Sequence, residues 1–355
     1  MKGGMTMGYV LSNDGFEQVI QALRQKYRLF APVRKEGAGR FTDIDVILYD
    51  EVDHASEIEL VRKSDYSFKE FLTPLSETLF FFTESQCRES ELNEKPVLIF
   101  LRSCDLHALR RLDQIYLDNG PEKDWFYMRR RGLVKFVLIG CTESFENCFC
   151  TDMGTNRVED GYVFSVEPDS DGVRCSLSEP SLDVDGTSLD SLFASNAVRA
   201  ADIKPSFVTE NKVKVEIPEK VPASILKSPL WDEYTIRCIN CGRCNFVCPT
   251  CTCYTMQDVY YTDNGKVGER RRVGASCMVD GYTNVAGGGQ YRRTNGERMR
   301  FKVLHKIVDF RKRFGYDMCV GCGRCDDVCP EYISYTNIIK KVLEASANEN
   351  REVSD

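Results

Sequence analysis

The sequence lacks several features that would place it in a common class of protein. No apolar run approaches the roughly 18–20 residues of a membrane-spanning helix, and the first residues, MKGGMTMGYVLSNDG, contain no apolar core of a signal peptide. These absences predict a cytoplasmic protein with no membrane contact. No G-x-G-x-x-G segment lies between a strand and a helix, so the sequence shows no dinucleotide-binding fingerprint.

Histidine is also scarce. His54, His107 and His305 are scattered along the chain, and no nucleophile is paired with a general base. The sequence therefore indicates no catalytic residue of its own.

Cysteine, in contrast, is abundant, with 17 residues in a chain of 355. Disulfides explain such numbers mainly in small secreted domains, whereas a larger chain without an export signal uses cysteine chiefly for metal. An odd total also leaves at least one cysteine outside any internal pairing. Metal binding is therefore the predicted use.

Eight of the cysteines fall into two runs with the same spacing. Residues 238–249 and 319–330 both read C-x2-C-x2-C-x3-C-P, the bacterial ferredoxin pattern for 4Fe–4S clusters, in which the fourth cysteine of each run binds the other cluster. This crossing gives cluster I the ligands Cys238, Cys241, Cys244 and Cys329. It gives cluster II the ligands Cys319, Cys322, Cys325 and Cys248. Gly242, Gly321 and Gly323 allow the backbone to approach the sulfur atoms.

Structural zinc is the alternative for these runs. Zinc sites usually take two well-separated pairs of ligands, whereas each run has three cysteines at successive two-residue gaps, followed by Cys–Pro. Because the full cluster pattern occurs twice, the sequence favours iron–sulfur clusters over zinc.

Four further cysteines predict a site for a third 4Fe–4S cluster. Cys104 follows one apolar, β-branched run and Cys141 ends another, and both runs indicate buried strands. The carboxyl ends of neighbouring parallel strands open onto one crevice, and Cys148 and Cys150 lie in the loop after the second strand. These four thiols could therefore converge at one edge of the sheet.

Other interpretations of the remaining cysteines stay open. The four residues of the third set could be small buried side chains or a zinc site. Cys251, Cys253 and Cys277 compete for the same role but number only three, and Cys175 lies in a hairpin. The sequence assigns no role to Cys175, Cys251, Cys253 or Cys277.

The hydrophobic pattern predicts an α/β domain with a mixed sheet and a β-hairpin extension over residues 1–225. Its predicted elements are helices at 15–32 and 105–120, strands at 43–50, 96–103, 134–141 and 212–222, and a hairpin at 161–180 that turns at 169–172. Residues 226–345 are predicted to form a mainly α-helical, ferredoxin-like domain with two clusters and with helices at 297–315 and 331–345. The polar tail, 346–355, is predicted to be disordered.

The charge is uneven along the chain. The protein carries a net charge of −7, but residues 237–315 contain 15 Lys and Arg against 6 Asp and Glu. A block of positive charge like this can bind nucleic acid. However, two clusters with their thiolates would contribute a charge of about −4 and so cancel part of the excess positive charge. The segments 268–274 and 290–293 could form a modest positive face for an acidic partner or substrate, or a plain solvated surface.

Five segments carry a family resemblance: LRSCDLHAL (101–109), GCTESFENCFCTDMGT (140–155), CINCGRCNFVCPTCTCY (238–254), VAGGGQYRRTNGERMRFKVLHK (285–306) and CVGCGRCDDVCP (319–330). Together they resemble the iron–sulfur subunit of anaerobic sulfite reductase, in the same family as the β subunit of cytoplasmic sulfhydrogenase. The resemblance implies a three-subunit cytoplasmic enzyme in which a flavin subunit oxidises NADH, this chain relays the electrons, and a sirohaem subunit reduces sulfite to sulfide.

Two hypotheses of different class follow. The first is a non-catalytic electron-transfer subunit, for sulfite or in a sulfhydrogenase-type complex, with no nucleic-acid partner. The second is a cluster-containing enzyme or redox regulator whose basic face binds an anionic ligand or nucleic acid. A regulator would bind DNA with a steep dependence on salt.

Overall fold

The computed structural model describes residues 7–40, 43–201 and 203–352. Its strands are β1 (Met7–Ser12), β2 (Arg28–Lys35), β3 (Val46–Glu51), β4 (Ser76–Phe82), β5 (Cys87–Glu89), β6 (Val97–Leu101), β7 (Val134–Ile139), β8 (Phe164–Asp169), β9 (Gly172–Leu177), β10 (Asp183–Val184), β11 (Thr187–Ser188), β12 (Val198–Ala201), β13 (Tyr254–Tyr260), β14 (Gly268–Gly274), β15 (Asn284–Val285) and β16 (Gly289–Gln290).

The α-helices are α1 (Asn13–Lys26), α2 (Lys69–Leu72), α3 (Ser103–Tyr116), α4 (Trp125–Gly132), α5 (Leu189–Asn196), α6 (Asp232–Arg237), α7 (Arg243–Phe246), α8 (Asn295–Leu304), α9 (Phe310–Phe314), α10 (Arg324–Asp327) and α11 (Tyr335–Glu352). Short 3-10 helices occupy Ala55–Glu57, Ala223–Lys227 and Pro229–Trp231, and a π-helical turn at His305–Asp309 joins α8 to α9. No helix in the described ranges is long and apolar enough to cross a bilayer.

An eight-stranded mixed sheet forms the centre of the N-terminal region, in the order β12-β1-β9-β8-β7-β6-β2-β3. The neighbours β8, β7, β6 and β2 run parallel, and the outer pairings are antiparallel. Every residue of β6 is buried, as expected for a parallel strand covered on both faces. Helices α1 and α5 pack on one face of the sheet and α3 and α4 on the other. The region is the mixed α/β fold that the sequence predicts.

A second sheet joins the N-terminal region to the cysteine-rich region. Strands β13 and β14, from the insert between the two ferredoxin runs, pair antiparallel with β4 and β5, in the order β13-β14-β4-β5. This sheet crosses the domain boundary predicted after residue 225. It also means that the prediction of a mainly helical C-terminal domain is not confirmed, because the insert contributes a pair of seven-residue strands.

Several predicted elements differ from the observed ones. The helix predicted at 15–32 ends at Lys26, and residues 28–35 form β2, in which Pro32 pairs with Tyr49 of β3. The strand predicted at 212–222 is irregular chain. The last helix begins at Tyr335 and continues through Glu352, and residues 353–355 of the predicted tail lie outside the described residues. The hairpin of β8 and β9 is confirmed.

Candidate iron–sulfur sites

Each ferredoxin run forms a tight loop that leads into a short helix. In the first run Asn240 and Gly242 have positive φ angles of 64° and 74°, and Gly242 directly precedes α7. In the second run Gly321 and Gly323 have φ angles of 63° and 71°, and Gly323 directly precedes α10. The left-handed conformation that glycine adopts without strain lets both loops turn closely around their cysteines.

Cysteines from both runs line one cavity. The cavity contains about 490 Å³ of space, including its open mouth. Its lining includes the four ligands predicted for cluster I, which are Cys238, Cys241, Cys244 and Cys329. Cys325 of the second run reaches the same cavity. The chain therefore brings the last cysteine of the second run to the first three cysteines of the first run.

Cys248 lies with the second run, although it belongs to the first. Burial raises the pKa of the Cys319 thiol to about 12; Lys306 opposes this shift, and Cys322 and Cys248 add to it. Burial also raises the pKa of Cys322, where Arg324 opposes the shift and Cys248 again adds to it. Lys306 Nζ lies 3.3 Å from Cys248 Sγ, and the Cys319 backbone N–H donates to the Lys306 carbonyl at 3.4 Å, so Cys248 and the start of the second run approach the same lysine.

The second run is covered by residues 147–150, part of the loop that follows β7. The Phe149 backbone N–H donates to the Gly321 carbonyl at 2.8 Å, and the Asn147 side chain donates to Asp327 at 2.7 Å. A Cβ atom on Gly323 would lie only 2.3 Å from the Asn147 carbonyl oxygen. The glycine thus permits a contact that any other residue would obstruct.

A buried ion pair connects the second run to α3. Arg324 donates to both carboxylate oxygens of Asp105, at 2.6 and 2.8 Å, and both side chains are completely buried. Arg324 also donates to the Ser64 backbone carbonyl at 2.9 Å. Asp105 follows Cys104 in the first turn of α3, so the pair fixes the second run against the predicted third set of cysteines.

Three of the cysteines predicted for a third cluster lie close together. Burial raises the pKa of Cys150 to about 12, and Cys148 is the next contributor to this shift. Burial also raises the pKa of Cys141, where Arg102 opposes the shift and Cys148 adds to it. Cys148 is therefore near both of the other thiols.

The fourth member of this set, Cys104, is buried beside the second run. Burial raises its pKa well above the usual range, and Cys322 and Cys150 are the thiols that contribute to the shift. Cys148 in turn donates to the Cys322 carbonyl at 3.5 Å. The third set therefore lies beside the second ferredoxin run. In the ranges that the structure describes, no three His, Cys, Asp or Glu side chains are placed to hold a single metal ion.

Buried lysines surround the cysteines. Lys306 Nζ lies 3.3 Å from Cys248 Sγ and donates to Thr250 at 2.8 Å. Burial alone would lower the pKa of Lys302, but Cys244 and Cys325 raise it well above its usual range. Lys302 lies near the end of α8, and Lys306 lies four residues later in the π-helical turn that follows it.

Two further lysines are buried close to the same cysteines. Lys69 Nζ donates to the carbonyls of Asn245 and Cys251, both at 3.0 Å. Lys63 Nζ lies 3.7 Å from Cys148 Sγ and forms an ion pair with Asp327 at 2.7 Å.

The charges of these lysines test whether the site suits an iron–sulfur cluster. Among the residues described, Lys69, Lys302 and Lys306 form no ion pair with a carboxylate, and each is more than nine-tenths buried. A buried cation without a counter-charge is destabilising by several kcal/mol. A 4Fe–4S cluster with four thiolates carries a charge of about −2. The buried lysines therefore supply positive charge where such a cluster would need it.

Comparison with known proteins agrees with this chemistry. Residues 237–333, which contain all eight cysteines of the two runs, match the family model described as a 4Fe–4S dicluster domain. Sulfhydrogenase 2 subunit beta of Pyrococcus furiosus is 30% identical over 347 residues, which cover 95% of this chain and 99% of the relative. The chain belongs to the sulfhydrogenase subunit beta family. No solved structure matches it.

Membership of the sulfhydrogenase subunit beta family confirms part of what the sequence predicts. The chain is an iron–sulfur electron-transfer subunit of oxidoreductase type, and it holds two 4Fe–4S clusters. The family resemblance drawn from the five segments is supported at this level. The relative does not support the more specific prediction that the complex reduces sulfite.

Sequence reasoning missed the buried lysines that lie beside the cysteines. Lys302 and Lys306 belong to the basic block, whose pattern indicates surface charge. However, they are spaced four residues apart and adjoin Val303 and Ile307, which lie on the predicted apolar stripe of the helix. Their position beside that stripe was the available signal.

The segment 268–274, which the sequence allows as a positive face or a solvated surface, has its arginine charges paired in the fold. Arg270 pairs with Asp258 at 2.7 Å, Arg271 pairs with Glu269, and Arg272 pairs with Glu77 at 2.8 Å, so each arginine of the 268–274 segment has a carboxylate partner. In the segment 290–293, the Arg292 guanidinium lies 3.5 Å from the centre of the Phe301 ring. Much of the basic block therefore serves internal contacts.

Proposed function

We propose that this chain relays electrons within a cytoplasmic reductase complex of the anaerobic sulfite reductase type. A flavin subunit would deliver electrons from NADH, and a sirohaem subunit would use them to reduce sulfite to sulfide. The five segments that resemble the iron–sulfur subunit of that enzyme support this assignment, as does the absence of a nucleophile–base pair or a dinucleotide fingerprint in the sequence. The chain itself would have no sulfite site.

The observation that supports a relay most strongly is the cavity shared by the two runs. We propose Cys238, Cys241, Cys244 and Cys329 as the ligands of cluster I, since all four line that cavity. The ligands proposed for cluster II are Cys248, Cys319, Cys322 and Cys325. When bound, the clusters supply one-electron transfer. The crossing of Cys248 and Cys329 makes the two loops a single unit, so the distance between the sites is fixed by the chain.

The buried lysines would hold the negative charge that electrons bring to these sites. Lys302 lines the same cavity as Cys244 and Cys325, which belong to different runs, and Lys306 Nζ lies 3.3 Å from Cys248 Sγ. A fixed cation in a poorly solvated interior stabilises added negative charge far more than a surface cation does. Because these lysines are buried, their ammonium groups stay beside the cysteines and do not move out into water.

We further propose a third 4Fe–4S cluster bound by Cys104, Cys141, Cys148 and Cys150. Cys148 lies near Cys141 and Cys150, and Lys63 is buried beside it at 3.7 Å. This set adjoins Cys322, so a third site would extend the relay from cluster II toward the carboxyl edge of the large sheet, where ligands bind in α/β folds.

A second candidate function is supported by the relative found across nearly the whole chain. The match to sulfhydrogenase 2 subunit beta covers 99% of that protein, which favours an electron-transfer role in a sulfhydrogenase-type complex. The two candidates share the clusters of this chain and differ in the partners that bind it.

Anaerobic isolation of the complex distinguishes them. The chain is tagged, captured with its partners, and the complex is assayed for NADH-dependent sulfide formation from sulfite and, separately, for hydrogen uptake. We expect flavin and sirohaem partners with sulfite reduction by the complex, and no sulfite reduction by the isolated chain. A hydrogenase partner would establish the second candidate, and steady sulfide production by the isolated chain would refute the relay.

Iron analysis tests the third cluster. Fully loaded protein should contain about twelve irons per chain, and Cys148→Ala should lower this to about eight. The matched control is Cys87→Ala, since Cys87 is exposed on β5 and outside every proposed set. About eight irons in the fully loaded protein, unchanged in Cys148→Ala, would exclude the third cluster.

A further inference from the structure

We propose that the Tyr335 hydroxyl donates a hydrogen bond to a sulfur atom of a bound 4Fe–4S cluster and makes that cluster easier to reduce. Tyr335 lies outside both ferredoxin runs, and the ligand spacing does not reveal it. The proposal rests on the cluster sites proposed above and adds to them a residue that sets the potential of a cluster.

The Tyr335 hydroxyl is a buried polar group without a partner. In the part of the chain that the structure describes, its oxygen is closed to solvent and makes no hydrogen bond, and the residue is 3% exposed. Arg174 and Arg271 also have a buried Nε atom without a partner, but each forms an ion pair through another nitrogen. A phenylalanine would fill the same space as Tyr335 without the cost of desolvating a hydroxyl. The hydroxyl therefore indicates an acceptor that the protein groups around it do not supply.

Tyr335 lines the cavity at which the two ferredoxin runs meet. Cys238, Cys244 and Cys329, which are proposed ligands of cluster I, line this cavity together with Cys325 of the second run. Cysteines proposed for both clusters therefore surround the space that Tyr335 adjoins, and a bound cluster would bring its sulfur atoms there.

The backbone of Tyr335 is fixed to the second run. At the start of α11 its N–H donates to both carboxylate oxygens of Asp326, each at 2.9 Å. The same carboxylate accepts from Cys325 Sγ at 3.4 Å. One side chain thus holds the start of α11 beside a proposed ligand of cluster II.

The ring of Tyr335 is fixed by two further contacts. It stacks on Phe149, with the ring centroids 6.4 Å apart and the planes inclined by 28°. Phe149 is itself bound to the second run through its hydrogen bond to the Gly321 carbonyl. Lys302 Nζ lies 5.7 Å from the centroid of the Tyr335 ring, and Lys302 lines the same cavity. Since the hydroxyl oxygen lies in the plane of the ring, these contacts also restrict where it can be.

The hydroxyl is suited to donate to a cluster. Burial raises the pKa of Tyr335 well above its usual range, so the group keeps its proton. A 4Fe–4S cluster with four thiolates carries a charge of about −2, and its sulfur atoms accept hydrogen bonds. A hydrogen bond to a charged acceptor is stronger than one between neutral groups. A bound cluster would therefore supply the acceptor that the hydroxyl lacks.

Such a hydrogen bond changes the reduction potential. Reduction adds negative charge to the cluster, and a donor at one of its sulfur atoms stabilises the reduced form more than the oxidised form. Tyr335 would thus act in the same direction as Lys302, but through a hydrogen bond to sulfur rather than through the charge of a cation.

The test is a potentiometric titration of the cluster-loaded full chain, followed by electron paramagnetic resonance. Tyr335→Phe should retain the wild-type iron content and lower the equilibrium constant for reduction of one cluster by about tenfold, which is about 59 mV for a one-electron couple. The matched control is Tyr234→Phe, because Tyr234 is buried in the same apolar core but is not among the residues that line the cavity. It should leave both potentials unchanged. Unchanged potentials in Tyr335→Phe would overturn the proposal.

A second replacement separates the hydrogen bond from the packing of the ring. A ring-fluorinated tyrosine at position 335 keeps the shape of the side chain but is a stronger donor, so it should shift the potential in the opposite direction to Tyr335→Phe. Shifts of the same sign in both variants would show that packing sets the potential, and would refute the hydrogen bond. If Tyr335→Phe fails to load iron, the fluorinated variant decides alone: a more positive potential supports the proposal, and any other result contradicts it.

Spectroscopy identifies the proton and the cluster. Electron–nuclear double resonance in H2O and D2O should show an exchangeable proton coupled to a cluster in the wild type and not in Tyr335→Phe. In a Cys241→Ser background, which disrupts cluster I, a persisting shift assigns the acceptor to cluster II and a lost shift assigns it to cluster I. Failure of the cluster assignment would be seen instead in the wild-type iron content. The proposed partners do not enter the test, because the chain is titrated without them.

Discussion

The two ferredoxin runs share the sequence Cys–Gly–Arg–Cys but occupy different surroundings. In the first run Arg243 and Cys241 are exposed to solvent. In the second run Arg324 is completely buried against Asp105, and Cys322 is buried. The repeated sequence specifies the same loop twice, whereas the neighbouring elements decide which loop faces water.

We expect this difference to give the two proposed clusters different roles in the relay. The four cysteines proposed for cluster I line a cavity that opens to solvent, where a partner can approach. Cys322, a proposed ligand of cluster II, lies beneath the loop that contains Cys148 and Cys150, against the N-terminal region. We expect exchange with a partner at the first site and transfer within this chain at the second.

The largest expected effect tests whether the runs really exchange their fourth ligands. The double variant Cys241→Ser/Cys329→Ser should lose one cluster, about four irons, because both residues are proposed ligands of cluster I. Cys241→Ser/Cys248→Ser should lose both clusters, about eight irons. Iron analysis of anaerobically prepared protein measures the two values. If the first double variant loses eight irons and the second loses four, each run holds its own cluster.

The next effect compares the two arginines. Arg324→Met should destabilise the protein by about 3–5 kcal/mol, because Asp105 would remain as a buried, unpaired charge. Arg243→Met, at the same position of the exposed run, should change stability by less than about 0.5 kcal/mol. Anaerobic denaturant unfolding measures both.

A compensating variant tests the cause. Arg324→Met/Asp105→Leu replaces the pair by apolar side chains and should recover much of the loss. If the double variant is as unstable as Arg324→Met, the lost stability comes from contacts other than the unpaired carboxylate. Equal stability of the two arginine variants would remove the contrast between the runs.

A smaller effect concerns the lysine that the two sites share. Lys302→Met should make the potentials of both clusters more negative, by on the order of 100 mV, because a buried cation favours the added electron. Lys306→Met should act chiefly on cluster II, since Lys306 contacts Cys248. Lys312→Met is the control, because Lys312 is exposed at the end of the same helical segment. Potentiometric titration followed by electron paramagnetic resonance measures the shifts. Unchanged potentials in Lys302→Met would contradict the proposed role of the buried lysines.

The sequence predicted those parts of the molecule that depend on local pattern. Ligand spacing located both cysteine runs, and buried apolar runs located β6 and β7, whose carboxyl ends lie side by side as expected for Cys104 and Cys141. The helix predicted at 15–32 was wrong at its end because residues 28–35 form strand β2 between β3 and β6, and this tertiary pairing outweighed the helical pattern.

Features that depend on distant contacts could not be predicted in this way. The pairing of β4 with β14 joins residues almost 200 positions apart, and no local pattern marks it. Burial of Arg324 likewise depends on Asp105, 219 residues earlier, whereas Arg243 has the same Cys–Gly–Arg–Cys sequence around it and is exposed to solvent. The local sequence specifies the type and spacing of the ligands. Contacts with distant residues decide whether a ligand is buried or exposed to solvent.

The smallest expected effect compares the two loop glycines. Gly242 and Gly323 have similar positive φ angles, 74° and 71°, so alanine should introduce a similar backbone strain of about 1–2 kcal/mol at either position. Their surroundings differ. A Cβ on Gly242 would meet the end of the Val279 side chain at 2.7 Å, which can rotate away, whereas a Cβ on Gly323 would meet the Asn147 carbonyl oxygen at 2.3 Å. Gly323→Ala should therefore be less stable than Gly242→Ala by a further ~1–3 kcal/mol, measured by anaerobic denaturant unfolding. Because Asn147 adjoins Cys148, only Gly323→Ala should also reduce the iron bound by the proposed third set. Equal losses of stability, with equal iron contents, would show that the loop over the second run can move aside freely and that the two runs are packed alike.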